Sequence, residues 1–331
     1  MSQLTEVIFY VILFILSFSF TFLYKYWAKK RSILDIPNER SSHEEATPSG
    51  GGISISFVFY SAILYFHFTD QIEKSLFHAL LPGIALTIVG FVDDIRKLSW
   101  IFRLTIQFIC SGIAFVFLSG MKPLLGDNMS WLWLILAIFG MVWFINLFNF
   151  LDGSDGYASM ETISVSLALW IFTGSNIFLL LVFPTVGFLY WNWPKAKIFM
   201  GDSGSTTLGF ILTVLAIHFH NNGTISFFFW ILITALFWFD ATITIIRRIL
   251  NKDKFMQPHK QHMYQRAIQG GFSHLQTLLS GLVINVLLFV ICLCIYNNIF
   301  NLLTGFLMMF VILLMALQYV DWKYPFKHSH T

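Results

Sequence analysis

Five aspartates stand beside glycine or asparagine, or next to one another, in segments otherwise poor in acids. They are Asp93 and Asp94 in "GFVDDIRKLSWIFR", Asp152 and Asp155 in "NLFNFLDGSDG", and Asp202 in "NWPKAKIFMGDSGS". A single acid at the end of an apolar run is explained as well by solvation or helix capping, as Asp202 or Ser203 would do for a helix opening at Gly204. Repetition in three loops favours a shared task. Gathered carboxylates repel, and a hard divalent cation is the usual remedy: magnesium, or manganese in its place, takes one or two carboxylates, keeps waters and accepts substrate phosphates. Two glycine-rich stretches point to phosphate as well. "PSGGG", which contains Gly51, and "GDSGS" each run straight into an apolar segment, where backbone N–H groups and a helix amino terminus could receive an anion. Close helix packing is the competing explanation for the glycines. Finally, "HKQHMYQR" sets His259 and His262 three apart and Arg266 four further on, which on a helix would put all three on one face. Phosphate binding suits that set better than zinc, which would want further ligands, and no cysteine is near.

The elements that must position these residues are set by composition. Charged residues are 11% of the 331, against roughly 25% in soluble domains, and AVILMFWYC residues reach 57%. An all-α, polytopic integral membrane protein of one helical domain is expected. About eleven apolar runs are long enough for spans, ten on another reading of the short ones, near 5–26, 50–69, 76–92, 101–119, 131–149, 159–173, 175–191, 205–218, 226–246, 275–296 and 299–320. The first run is expected to remain as an anchor, because Glu6 precedes it and the basic cluster Lys25, Lys29, Lys30 and Arg31 follows it. Of the 20 Lys and Arg, all but Lys74 and Lys122 fall at or between the run ends on one side, which the positive-inside rule makes cytoplasmic. Every dense polar motif lies on that side, in loops near 27–49, 93–100, 150–158, 192–204 and 247–274. A secondary transporter would instead need ionisable groups near mid-span, and only Asp240 approaches that depth. Asp240 is expected to support a neighbouring helix. Cys110, Cys292 and Cys294 sit in apolar runs without metal spacing and read as small apolar side chains.

Taken together, "VDD", "NLFNFLDGSDG", "NWPKAKIFMGDSGS" and "HKQHMYQR" resemble, in order and spacing, the cytoplasmic motifs of the polyprenyl-phosphate N-acetylhexosamine-1-phosphate transferases. The likeness spans about Pro37 to Gln269. It is greater toward the branch that starts O-antigen and related surface glycans, through "PNERSSHEEATPSGGG" and "HKQHMYQRA", than toward the peptidoglycan branch, which has a histidine triplet where this chain has "HKQH". The resemblance implies an enzyme of the bacterial cytoplasmic membrane that moves a sugar-1-phosphate, from an N-acetylhexosamine or its 6-deoxy form, from a UDP-sugar to undecaprenyl phosphate, releasing UMP. It also implies roles. Asp202, joined by Asp94, would bind magnesium. Asp93 and Asp94 would form the acidic pair, the first a base or a contact to the lipid phosphate. Asn149, Asp152 and Asp155 fall on an NxxDxxD pattern, Asn192 would serve the nucleotide, and His259 and His262 the diphosphate. Direct attack and a covalent aspartyl-phosphate route both remain open. The partners implied are the two substrates and the bilayer, with a homodimer compatible and no nucleic acid. An intramembrane aspartyl protease lacks a second acid at depth, and a CDP-alcohol phosphotransferase lacks the continuation of its motif after Ala158.

Overall fold

The computed structural model describes residues 3–37, 45–124, 130–253 and 259–326. Residues 38–44 of the first polar loop, 254–258 of the fifth, and the tail carrying His328 and His330 fall outside them. The apolar runs become helices in chain order. They are α1 (Gln3–Lys30), α2 (Ile53–Phe68), α3 (Lys74–Leu80), α4 (Pro82–Ile95), α5 (Trp100–Phe117), α6 (Ser130–Phe150), α7 (Tyr157–Thr173), α8 (Leu179–Asn192), α9 (Asp202–Asn221), α10 (Phe227–Ile233), α11 (Ala235–Leu250), α12 (Met263–Gln269), α13 (His274–Tyr296) and α14 (Leu302–Lys323). The strands among the described residues are β1 (Leu34–Asp35) and β2 (Thr47–Pro48), an antiparallel pair within the first polar loop.

Each of the eleven apolar runs coincides with one helix or one contiguous pair. Pro82 at the first position of α4 ends α3 without ending the run, since a first-turn proline has no intrahelical N–H to lose. Among the described residues, six spans are long and apolar enough to cross a membrane, one of them the continuous α3–α4 pair, and a seventh crossing arises if α10 and α11, bent by 71°, count as one. The multi-pass, all-α expectation therefore holds, while α2 and the run ending in α8 are apolar but shorter.

At the centre stands α9, buried from Ser203 through Phe219. Its amino-terminal half is rich in Ser, Thr and Gly, so neighbouring backbones can approach closely. Its threonine hydroxyls donate within the helix: Thr206 to Asp202 O (2.6 Å), Thr207 to Ser203 O (3.0 Å) and Thr213 to Gly209 O (2.8 Å). Against it pack α4, α6 and α2. The outer helices α1, α5, α13 and α14 turn bulky apolar side chains such as Leu23, Val116, Val283 and Leu303 away from the protein, as lipid contact requires.

Candidate active site

All the polar motifs meet at one end of the bundle. The carboxyl-terminal ends of α4, α6 and α8 and the amino-terminal ends of α9 and α13 surround a cavity of about 280 Å3, lined among others by Asp94, Lys97, Asp152, Asp155, Asp202 and His274. Asn149 and Asn192 also line it, and Asp35 and Ser49 reach it from the first polar loop.

Of the helices that begin at or beside this end, α7, α9 and α12 each have an amino terminus capped by a side chain from another helix, while α13 is capped by its own Ser273. The carboxylate of Asp94, at the end of α4, accepts from Asp202 N (2.9 Å) and Ser203 N (3.2 Å) and so caps α9. Asn192, at the end of α8, accepts through Oδ1 from Gly156 N (3.0 Å) and Ser159 Oγ (3.2 Å) at the start of α7. Its Nδ2 donates to Ile198 O (3.0 Å). Asp240, in α11, accepts from Met263 N (2.7 Å) and Tyr264 N (3.3 Å) and starts α12, the supporting role expected of it. A free first turn carries unsatisfied donors and partial positive charge, so an anionic or amide oxygen there is worth roughly 0.5–2 kcal/mol.

This capping revises several sequence-based expectations. The anion at the amino terminus of α9 is Asp94 itself, so the N–H groups of Asp202 and Ser203 are engaged by this chain's own carboxylate. Gly51 does not present its N–H to solvent either. Gly51 N donates to Phe199 O (2.9 Å) and Gly52 N to Met200 O (2.8 Å), joining the first loop to the fourth. The glycines serve packing: a Cβ on Gly52 would lie 2.3 Å from Gly204 Cα, so α2 and α9 touch backbone to backbone. Arg266 does not share a face with the histidines. Helix α12 starts at Met263 with His262 as its cap, and Arg266 is buried in an ion pair with Asp321 of α14, also donating to Tyr324 O (2.7 Å). Arg247 grips the same Asp321 in bidentate fashion at 2.9 and 2.8 Å.

Asp93 is buried and lies outside the cavity lining. Its Oδ1 accepts from Leu98 N (2.6 Å) and its Oδ2 from Arg103 Nη1 (3.0 Å). The same Arg103 nitrogen also bonds Asp202 Oδ2, which makes it a bridge between the two acids. Asp202 Oδ1 accepts from Asn149 Nδ2 (2.8 Å), which donates in turn to Ser205 Oγ (2.9 Å). Asp155 Oδ2 holds the N–H groups of Lys195 (3.0 Å) and Ala196 (3.1 Å), and its Oδ1 lies 3.9 Å from His274 Nδ1. The carboxylate of Asp152 makes no hydrogen bond or ion pair with the described residues. Removal from water, then repulsion from Asp202 and Asp94, pushes its pKa well above the ordinary carboxylate range.

His259 and His262 sit 4.8 Å apart by ring centroid, beyond Phe150 and Tyr264, and do not line the cavity. His262 Nδ1 is 3.7 Å from Asp240 Oδ1. Burial, followed by the charges of His262 and Arg248, lowers the His259 pKa to about 3 against an opposing pull from Asp253. His259 is therefore a neutral ring near pH 7 and adds no positive charge to the fifth loop.

Sequence reasoning passed over Arg103, Lys97, Ser154 and His274. Arg103 was detectable as the basic residue in the first turn of the helix after the Asp pair, but nothing local tied it to Asp202. His274 stands directly after Ser273, whose reciprocal bonds with Gln276 (2.8 and 3.1 Å) form a capping box. It accepts or donates a bond with Ser154 Oγ (2.9 Å).

Among the described residues no three His, Cys, Asp or Glu side chains form a ready metal cluster. An all-protein cage is thus absent there, whereas Asp152 and Asp202 facing one cavity fit a cation that uses two carboxylates and completes its shell with water and phosphate oxygens.

A family model described as glycosyl transferase family 4 matches residues 76–220, the stretch from α3 to α9 that carries Asp93, Arg103, Asn149, Asp152, Asp155, Asn192 and Asp202. The chain is 31% identical over 271 residues to a protein of Bacillus subtilis named probable undecaprenyl-phosphate N-acetylglucosaminyl 1-phosphate transferase, covering 76% of this chain and 74% of that one. Undecaprenyl-phosphate alpha-N-acetylglucosaminyl 1-phosphate transferases of Thermotoga maritima and Escherichia coli K12 are each 29% identical, over 77% and 80% of this chain and 80% and 77% of theirs. Matched along its polar motifs and most of its length, and folded as a multi-pass helical bundle, the chain belongs to glycosyl transferase family 4 as a membrane phosphotransferase of the polyprenyl-phosphate N-acetylhexosamine-1-phosphate transferase type.

Proposed function

We propose that the enzyme transfers an N-acetylhexosamine 1-phosphate from a UDP-sugar to undecaprenyl phosphate at the cytoplasmic face of a bacterial inner membrane, as the first step of a surface glycan. One observation carries this reading: Asp94, Asp152, Asp155, Asp202, Asn149 and Lys97, drawn from separate polar segments, line one cavity at the basic end of an apolar bundle. In the reaction an oxygen of the lipid monophosphate attacks the sugar-bearing phosphorus. The bond from that phosphorus to the oxygen bridging it to the nucleotide phosphate breaks, and UMP leaves.

The lipid monophosphate is already largely dianionic at pH 7, its second pKa being about 6, so the barrier is repulsion between two anions more than the lack of a base. Magnesium held by Asp152 and Asp202 would, when bound, neutralise the diphosphate and orient it. Asp94 is spent on capping α9 and so supports Asp202. Lys97 contributes a positive charge at the cavity wall. Arg103 holds Asp202 against Asp93, fixing the rotamer of a metal-binding carboxylate, and Asn149 fixes its other oxygen. Asp155 and Asn192 hold segment 192–198 in place as the wall beside the nucleotide. His259 and His262 lie at the edge, where His259 would offer a neutral hydrogen bond to a phosphate. An apolar groove of about 300 Å3 between α6, α9 and the α10–α11 bend, lined by Trp133, Leu136, Gly140, Trp143 and Trp230 among others, suits a prenyl tail.

The test is release of UMP by purified enzyme supplied with undecaprenyl phosphate and a panel of UDP-sugars, including UDP-N-acetylglucosamine, with and without EDTA. Magnesium-dependent UMP release is expected in wild type, and Asp202→Asn is expected to abolish it while the protein stays folded. Turnover by Asp202→Asn at the wild-type rate would remove that residue from the site. UMP release without any lipid acceptor would refute the transfer itself.

A further inference from the structure

A second cavity, of about 530 Å3, opens on the same end of the molecule between α1 and the segment that follows α8. Its walls are Phe14, Val186, Leu189 and the exposed aromatics Tyr190 and Trp193, and its mouth carries Lys195 and Lys197. Trp191 forms the floor and is fixed by its indole N–H donating to Phe18 O (3.0 Å). Above that ring stand two ammonium groups, Lys25 Nζ at 4.0 Å from the centroid and Lys197 Nζ at 5.5 Å. Two like charges sharing one indole lie within about 10 Å of each other, roughly one Debye length, so they repel instead of being screened apart. Neither has a carboxylate partner among the described residues, and no acidic side chain lines the cavity.

The wall composition suggests what relieves that repulsion. Tyr and Trp gather at the membrane–water boundary, lysines there meet lipid phosphates, and the apolar wall of Phe14, Val186 and Leu189 continues in the direction of the hydrocarbon. A soluble anion would use the cations but leave the apolar wall uncovered. The cavity also shares no lining residue with the carboxylate cavity, from which segment 192–197 separates it, so an anion held here stays apart from Asp152 and Asp202.

We propose that Lys25, Lys197 and Trp191 form a binding site for the headgroup phosphate of an anionic phospholipid, with an acyl chain against Phe14 and Val186. The lipid is a resident of the site and not a reactant. It would buttress segment 192–197 from the outside, while Asp155 holds the N–H groups of Lys195 and Ala196 from the inside.

Native mass spectrometry of the detergent-purified protein, incubated with phosphatidylglycerol or phosphatidylcholine, tests the site without reference to catalysis. Wild type should retain phosphatidylglycerol in preference to phosphatidylcholine. The double variant Lys25→Gln with Lys197→Gln should lose about tenfold or more of that retention, since each lysine near a lipid surface is worth about 1 kcal/mol. The charge-keeping pair Lys25→Arg with Lys197→Arg should retain it. Equal retention of both lipids by wild type would overturn the proposal whatever the variants do. So would undiminished phosphatidylglycerol binding by the Gln pair, or loss in the Arg pair. Displacement of the lipid by excess inorganic phosphate would reassign the site to a soluble anion and also overturn it.

Discussion

At the residue scale, the polar side chains divide by what their oxygens already hold. Asp94, Asn192 and Asp240 are occupied with helix starts, Asp155 with the 195–196 backbone, and Asp93 with Leu98 and Arg103. Asp152 is left with a carboxylate facing the cavity, and Asp202 is held by Arg103 and Asn149. Arg103 is the residue on which this division turns, because it offsets the charge of two acids at once. Arg103→Gln should lower activity by about tenfold to a hundredfold, the range seen when partners of metal-binding side chains are lost, and should lower the unfolding temperature measured in EDTA. Arg103→Lys should recover only part, since a shorter side chain must carry its ammonium to the place where Arg103 Nη1 meets both acids. Full activity in Arg103→Gln would show that Asp202 is positioned without it. The histidine loop makes a pH prediction. His259 has a folded pKa near 3 against an ordinary 6.5, so between those values the unfolded chain binds a proton that the folded chain refuses. Stability therefore rises with pH across that window and is lost as pH falls below the ordinary value. Thermal unfolding of wild type compared at about pH 7 and about pH 5 should show a larger drop than His259→Asn, which carries no such proton. Equal drops would mean that His259 is not buried as the structure has it.

At the scale of elements, the site depends on helix ends meeting without side chains between them. The approach of α2 to α9 at Gly52 and Gly204 sets where the first and fourth polar loops join, and Gly201, at φ +73° and where a Cβ would lie 2.6 Å from the Asp94 carboxylate oxygens, lets the chain turn into α9. Gly52→Ala and Gly204→Ala should each destabilise by about 1–3 kcal/mol or more, as overpacking does, and should disturb Asp202 along with the contact. Gly112→Ala, in α5, meets nothing within 4 Å and should be tolerated. The comparison is read from unfolding temperature and activity on the same preparations. If Gly52→Ala matches Gly112→Ala, the close backbone contact is not required.

At the scale of the whole molecule, the bundle is polar at one end and apolar along its flanks, with one cavity where five polar segments converge. Single cysteines placed at Lys97, Lys195 and Lys252 in a background lacking the three native cysteines should react with an impermeant maleimide from one side of the membrane only. Cysteines at Lys74 and Lys122 should react from the other. Labelling of Lys97 and Lys195 from opposite sides would separate Asp94 from Asp202 and end the account of a shared cavity.

Much of this architecture was legible in the chain. Runs of apolar residues, the bias of Lys and Arg and the placement of Asp–Gly motifs are local properties, and the thickness and polarity of a bilayer translate them directly into helices with one chemically active end. The partition of roles among the aspartates and glycines was not legible. Asp94 meets Asp202 across 108 positions, Arg103 meets Asp202 across 99, and Asn192 meets Gly156 across 36. Such pairings have no periodic signature, because they arise only when helices pack and unsatisfied first-turn donors find the nearest oxygen. The amino-acid sequence by itself thus determined that this is a helical membrane protein with its chemistry gathered at one face. Only the tertiary structure decided which carboxylates face the cavity with no helix start to cap, because that depends on which helix starts the others are needed for.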